Sequence, residues 1–180
     1  VRLRWLVVIA AAGGFVASLL LFSRLGQEFV PTLDEKDLAL QALRIPSTAL
    51  TQAQSMQFEI ERALAKFPEV EFVFSKTGTA EIASDPMPPN ATDTFVIFRS
   101  ESEWRSEADL DTAIAEQAEH VEALTEGKHE EEEEEGPKLE GHKGKLIQLI
   151  RLTVALFPGN KYEFTQPIQM RFNELIAGIR

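Results

Sequence analysis

The chain has 180 residues, with 29 Asp and Glu against 18 Lys and Arg, a net charge of −11 and no cysteine. The missing thiols exclude disulfides, thiolate metal centres and cysteine nucleophiles. The acidic balance argues against a nucleic-acid partner, because phosphate binding needs clustered Lys and Arg; it suits cationic ligands or simple solubility.

Val1 stands where a complete gene product carries Met, so a longer parent chain is expected. Trp5 to Phe22 is one uncharged apolar run. As a helix rising roughly 1.5 Å per residue it would reach about 27 Å, matching a hydrocarbon core of about 30 Å. Arg2 and Arg4 precede it, which by the positive-inside tendency turns that end to the cytoplasm and the rest of the chain to the outer face. Trp5 stands where an interfacial aromatic anchor would. A cleaved signal peptide is the competing reading, but the run exceeds the usual apolar core of a signal, and no A-x-A-like site follows at Phe22-Ser23-Arg24-Leu25. Residues 1–24 are therefore assigned as a transmembrane helix.

A connector with Pro31 and the acidic residues Asp34, Glu35 and Asp37 comes next. Residues 37–45 alternate, with Leu38, Leu40 and Ala42 on one side, and predict a strand with a bulge near Leu43. Thr51 and Gln54 form a capping-box pattern. Ala53, Met56, Ile60, Ala63, Leu64 and Phe67 then recur at helical spacing and predict an amphipathic helix over 51–66, stopped by Pro68. Val70, Phe72 and Phe74 alternate as a second strand, and Gly78 supplies a turn. Residues 80–90 read as a Pro-rich loop.

Residues 93–99 are apolar on both faces, Phe95 and Ile97 against Val96 and Phe98, which predicts an interior strand covered on each side. Ser106 with Asp109 opens a second helix whose stripe is Leu110, Ile114, Val121 and Leu124. Residues 125–145 hold six consecutive glutamates, Glu130 to Glu135, between His129 and His142. Charges so dense repel one another and offer nothing apolar to bury, so this insert is expected to be disordered. Helical pattern resumes over 146–157 and ends at Pro158-Gly159; 162–164 is a weak strand, and 166–180 has helical periodicity through Ile168, Phe172, Leu175 and Ile176. The fold class expected is α+β: one transmembrane helix, then a split βαβ, ferredoxin-like unit that is incomplete because its last strand is weak. Residues 25–124 would form its first part and 146–180 its continuation around the insert.

Several separated blocks resemble one known family. LGQEFVPTLDEKDLALQALRIP, FPEVEFVFSKTGTAEIASDPMPPNATDTFVIFRSESEW and FPGNKYEFTQPIQMRFNELIAGIR are similar, in order, to the heavy-metal efflux branch of the resistance-nodulation-division (RND) transporters, close to its cobalt-zinc-cadmium pumps. The resemblance covers nearly everything but the glutamate-rich insert. It implies a segment of a proton-driven cation antiporter that begins within a transmembrane helix and continues into a periplasmic porter subdomain. It also implies a homotrimer in the bacterial inner membrane, working with a periplasmic membrane-fusion adaptor and an outer-membrane channel. The proton-relay carboxylates of such pumps lie in other helices, and none occurs between Trp5 and Phe22. Neither covalent catalysis nor a resident cofactor is implied; the divalent metal is cargo.

In the family's copper and silver pumps three methionines line the porter cleft, and the resemblance places those positions at Gln41, Ala91 and Glu174. Met87 and Met170 lie near them but out of register. Soft Cu(I) and Ag(I) prefer sulfur, whereas Zn(II), Co(II), Ni(II) and Cd(II) accept carboxylate and imidazole, so the departure points to divalent ions. Glu174 is the first candidate ligand, followed by Asp93 and Asp85 beside Ala91. Read blandly, Asp85 caps a turn, Asp93 opens a strand and Glu174 is an exposed helix residue. A full shell needs about four ligands, so others would come from elsewhere in the pump. His129 and His142 with the glutamate run form a second tier that could gather cations loosely, the alternative being a solvated spacer. His120 reads as a surface residue and Asp34 to Asp37 as solvated or structural. The competing function is a single-span, membrane-anchored periplasmic metal-binding protein. Nothing matches a hydrolase triad, a phosphate loop or an H-E-x-x-H helix.

Overall fold

The computed structural model describes residues 2–24, 35–79, 87–125 and 141–177. It contains two units, Val1–Asp34 and Glu35–Arg180. The first holds helix α1, Arg2–Arg24. Its stretch Arg4–Ser23 is long and apolar enough to cross a membrane, and none of it is buried. Large side chains from Trp5, 63% exposed, to Phe22, 74% exposed, stand out along it.

In the second unit, strands β1 (Leu38–Leu43), β2 (Val70–Thr77), β3 (Ala91–Phe98) and β4 (Lys161–Thr165) form one sheet in the order β2-β3-β1-β4. All three pairings are antiparallel. Helix α2 (Leu50–Leu64) links β1 to β2, and helices α3 (Glu107–Thr125) and α4 (Gly141–Ala155) link β3 to β4. Helix α5 (Pro167–Ala177) follows β4 and packs at β1. The fourth strand, expected to be weak and to leave the unit incomplete, pairs with β1 along Lys161 to Thr165. Its short alternation of Tyr162 and Phe164 suffices because both rings enter the core.

The core lies on one side of the sheet. Leu38, Leu40 and Ala42 of β1 meet Ile60 and Leu64 of α2, Leu110 of α3, Leu146, Ile150 and Val154 of α4, and Val96 of β3. Each fully buried aliphatic side chain is worth about 1.5–3 kcal/mol relative to exposure. Helix α2 buries Ala53, Gln57, Ile60 and Leu64, a 3.6-residue stripe. The predicted capping box at Thr51 does not form: the helix starts a residue earlier, with Ala49 as N-cap and no side-chain cap bond. The Ser106 cap does form, its Oγ accepting the Asp109 N–H at 3.2 Å and donating to Asp109 Oδ2 at 2.7 Å. Along α3, Leu110 and Val121 are buried while Leu124, near its C-terminal end, is 63% exposed.

Strand β1 pairs without interruption from Leu38 to Leu43, and the register shift falls instead between Val70 and Phe72 of β2. A bulge switches which side chains face the core. Val70 is buried and Val73 packs against the core, while Phe72 and Phe74 are 51% and 48% exposed on the other face. There they stack with each other at 6.0 Å, and Phe74 stacks on Phe95 at 5.1 Å. Strand β3 is interior to the sheet as predicted; its Val96 and Phe98 side is covered, and on the other side Ala91 and Asp93 are buried while Phe95 and Ile97 are half-buried. The predicted helix forms as α5; Met170 is buried and Phe172 half-buried, whereas Ile168 and Leu175 are 62% and 81% exposed.

A buried ion pair closes the corner before β2. Glu69, 0% exposed, accepts Arg105 Nε at 2.6 Å and Nη2 at 2.9 Å. Burial alone would raise the Glu69 carboxyl, but the Arg105 hydrogen bonds and charge outweigh it and hold it below the usual carboxylate range. The same contact raises Arg105. Beside this pair, Phe98, Trp104 and His142 form an edge-to-face chain at 5.6 and 5.4 Å.

Leu40→Ala, in the centre of the core, is expected to cost about 2–5 kcal/mol, read as a lower denaturation midpoint. Arg105→Met would strand the Glu69 carboxylate and cost about 3–5 kcal/mol near neutral pH. Because the folded carboxyl is depressed, the pair's contribution is complete above the unfolded value of about 4.3 and disappears as pH falls from there through the lower folded value. The parent and variant midpoints should therefore converge in acid; a constant gap down to acid denaturation would contradict this assignment.

Candidate functional site

The face of the sheet opposite the core carries a row of polar side chains. Register places Lys76 of β2 opposite Asp93 of β3, Asp93 opposite Gln41 of β1, and Gln41 opposite Glu163 of β4. The row therefore crosses all the strands on one face, with Cβ atoms of direct neighbours roughly 4.5–5.5 Å apart. Gln41 Nε2 donates to Asp93 Oδ1 at 2.8 Å. Asp93 is 3% exposed, Gln41 is half-buried and Glu163 is exposed. The Phe72, Phe74 and Phe95 stack lies on the same face, one row away. The arrangement presents carboxylate and amide oxygens beside an apolar surface, the hard donor set that divalent cations accept.

Of the candidate ligands, Asp93 falls into this setting. Asp93 lies within β3, which begins at Ala91, so it does not open the strand; its carboxylate faces the β1–β3 seam. Ala91 pairs with Leu43 on the same face, diagonal to Gln41. Glu174 is on α5, a helix that packs at β1, but its side chain lies outside the described residues. Asp85 and His129 with Glu130 to Glu135 also lie outside them. His142 is held in helix α4, which begins five residues before the expected continuation at Leu146. Its Nε2 is 2.7 Å from the Arg105 carbonyl oxygen, and its ring meets Trp104 edge-on. Among the described residues, no three His, Asp or Glu side chains gather to hold a metal ion. His120 is exposed and lines a cleft of about 540 Å³ between α2, α3 and α4, with Lys66, Phe67, Glu116 and Leu149. Within the acidic LDEKD segment, Asp37 Oδ1 accepts the Phe98 N–H at 3.1 Å, and Glu35 bonds to α5.

Two polar groupings were not singled out from sequence. Glu163 gave no signal of its own; only the β1–β4 pairing brings it to Gln41. The other lies on the core side. Arg44, 5% exposed, donates from Nη1 to Thr92 Oγ1 at 2.7 Å and from Nη2 to Gln57 Oε1 at 2.9 Å. Gln57 Nε2 donates to Thr94 Oγ1 at 2.8 Å and to Ser75 Oγ at 2.9 Å. Burial pulls the Arg44 guanidinium below its ordinary value, with nearby Tyr162 opposing the shift, and burial drives Tyr162 upward. No carboxylate pairs with Arg44 among the described residues. Thr92 and Thr94, alternating about Asp93 on the strand, were the available sequence clue to this network.

Comparison with known proteins places this geometry. The chain is 45% identical over 177 residues to Protein HelA of Legionella pneumophila, covering 98% of this chain and 14% of that protein. It is 44% identical over 179 residues to the cobalt-zinc-cadmium resistance protein CzcA of Cupriavidus metallidurans, covering 97% of this chain and 14% of that one. A crystal structure titled as a heavy metal efflux pump superposes over 90% of this chain and 14% of its own, with a TM-score of 0.56 and 24% identity, so the two share a fold. The family model for AcrB/AcrD/AcrF matches residues 1–131. The chain spans about a seventh of the relatives it matches, and it belongs to the AcrB/AcrD/AcrF family.

Proposed function

We propose that this chain is a segment of a proton-driven RND pump that exports divalent heavy-metal cations of the Zn, Co, Cd and Ni class. The carrying observation is near-complete coverage at 44% identity by a cobalt-zinc-cadmium resistance protein, joined to a sheet face that offers oxygen donors where sulfur would select copper or silver. In this reading α1 crosses the bacterial inner membrane with its Arg2 and Arg4 end toward the cytoplasm. Its exposed apolar surface then meets lipid chains, as hydrocarbon requires. The second unit is a ferredoxin-like porter subdomain in the periplasm: β1, α2 and β2 form a split βαβ, with β3 between the two strands and β4 on the far side of β1. The complete protein works as a homotrimer with a periplasmic adaptor and an outer-membrane channel.

The open face lines the metal path. Asp93 and Glu163 supply carboxylates, Gln41 fixes the Asp93 carboxylate through its amide, and Glu174 on α5 contributes from beside β1. Asp85 adds a further carboxylate, and His129 with the glutamate run gathers cations loosely as a second tier, while His142 is engaged by Arg105 and Trp104. These donors hold a cation weakly enough to be handed on, and the remaining ligands come from other parts of the pump. Protons supply the driving force through carboxylates in other transmembrane helices.

In the full-length pump, Asp93→Ala and Glu174→Ala should each weaken apparent affinity for zinc or cobalt on the order of tenfold, measured as transport into inverted vesicles and as host tolerance at unchanged abundance. Unchanged transport in both variants would remove this face from the metal path. Introducing Gln41→Met, Ala91→Met and Glu174→Met together should move preference toward Cu(I) and Ag(I); metal-dependent growth that keeps its zinc-to-silver ranking would oppose the ligand-chemistry argument.

A further inference from the structure

The start of α5 is held by a residue more than half the chain away. Pro167 occupies the first helical position, as its missing N–H permits. The next two amides, of Ile168 and Gln169, donate to Glu35 Oε2 at 2.6 Å and Glu35 Oε1 at 3.0 Å. In return the Glu35 N–H donates to Gln166 Oε1, and the Glu35 carbonyl oxygen accepts Lys143 Nζ from α4. Gln166 and Lys143 are 5% and 7% exposed. A local capping box exchanges one side-chain bond in each direction at a helix start; here the same exchange is made between Glu35 and the β4–α5 junction. The negative charge also opposes the positive end of the helix dipole.

Apolar packing holds this helix over a short stretch: of its described side chains Met170 is buried and Phe172 half-buried, while Ile168 and Leu175 are largely exposed. The three bonds that join Glu35 to the β4–α5 junction thus help set the orientation of α5 relative to β1, the strand that also bears Gln41, while the Lys143 bond ties Glu35 to α4. We propose that Glu35 is a positioning residue: it clasps the N-terminus of α5 and so sets where Glu174 stands relative to the Gln41–Asp93 row. This deepens, and rests on, the reading of that face as the metal path.

The test uses the full-length pump on a cysteine-free background, with spin labels at Glu71→Cys on β2 and Leu175→Cys on α5, both exposed positions. The distance distribution between them is recorded alongside zinc transport in Glu35→Ala and Glu35→Gln. With Glu35→Ala the distribution should broaden and the half-saturating zinc concentration rise on the order of fivefold, the shift expected for losing a charged cap, with the maximal rate retained. Glu35→Gln keeps acceptor oxygen and should recover most of both. A distribution as narrow as the parent's overturns the clasp, and a broadened one with unchanged half-saturation overturns its positioning role. If the alanine variant fails to assemble, Gln166→Ala, which removes only the return bond from the Glu35 N–H, is read in its place: a broadened distribution supports the clasp and one as narrow as the parent's overturns it. Glu174→Ala and Asp93→Ala run in parallel separate the two ideas: no effect in either removes the metal assignment, while the distances still decide the clasp.

Discussion

Strand β1 is paired on both edges, and the open face takes its arrangement from that double pairing. Leu38, Leu40 and Ala42 must face the helices, which leaves Gln41 on the opposite side. A slip of one residue would reverse every side chain of the strand, exposing two leucines and burying an amide. The core therefore dictates the register, and the register brings Asp93 from one edge and Glu163 from the other to flank Gln41. Side chains suited to a cation are placed by the packing of side chains that never meet one.

Polar groups inside the unit are tolerated where geometry compensates for lost water. Glu69 is buried with two hydrogen bonds from Arg105, so its charge is both neutralised and solvated by a fork of donors. Arg44 is a different solution. Its charge has no anion among the described residues and is spread over Thr92 and Gln57, with Gln57 carrying the network on to Thr94 and Ser75. Such a network costs stability if any member is lost, because each buried partner would then be unsatisfied. It ties α2 to β1, β2 and β3 at once, giving the sheet a rigid back against which the open face can present its donors.

The aromatic stack beside the polar row has a related origin. The bulge after Val70 returns Val73 to the core and turns Phe72 and Phe74 outward to Phe95. Exposed aromatic surface of this kind is unfavourable in water, and its mutual stacking removes part of that area from solvent. Its nearness to Asp93 lowers the local polarity, which strengthens any charge interaction made there.

Much of the architecture was legible in the amino-acid order alone. The period-two pattern at Leu38, Leu40 and Ala42, the helical stripe through Ile60 and Leu64, the Ser106 cap and the apolar run of α1 each report a local preference, and local preferences are written in neighbouring residues. The β2 bulge, the missing cap at Thr51, the exposure of Leu124 and the early start of α4 depended on what packs against each segment. Of the candidate site, Asp93 could be named because its position follows from a recognisable block, but its bond to Gln41, 52 residues away, and the pairing that brings Glu163 to the other side of Gln41 required contacts between distant strands. Glu35 is the extreme case: an acidic residue in a connector gives no hint that a helix beginning at Pro167 awaits it. Sequence determined which segments could be helix, strand or membrane span, since those choices depend on side chains a few residues apart. Only the tertiary structure decided which polar groups meet, because that depends on a register set by the core.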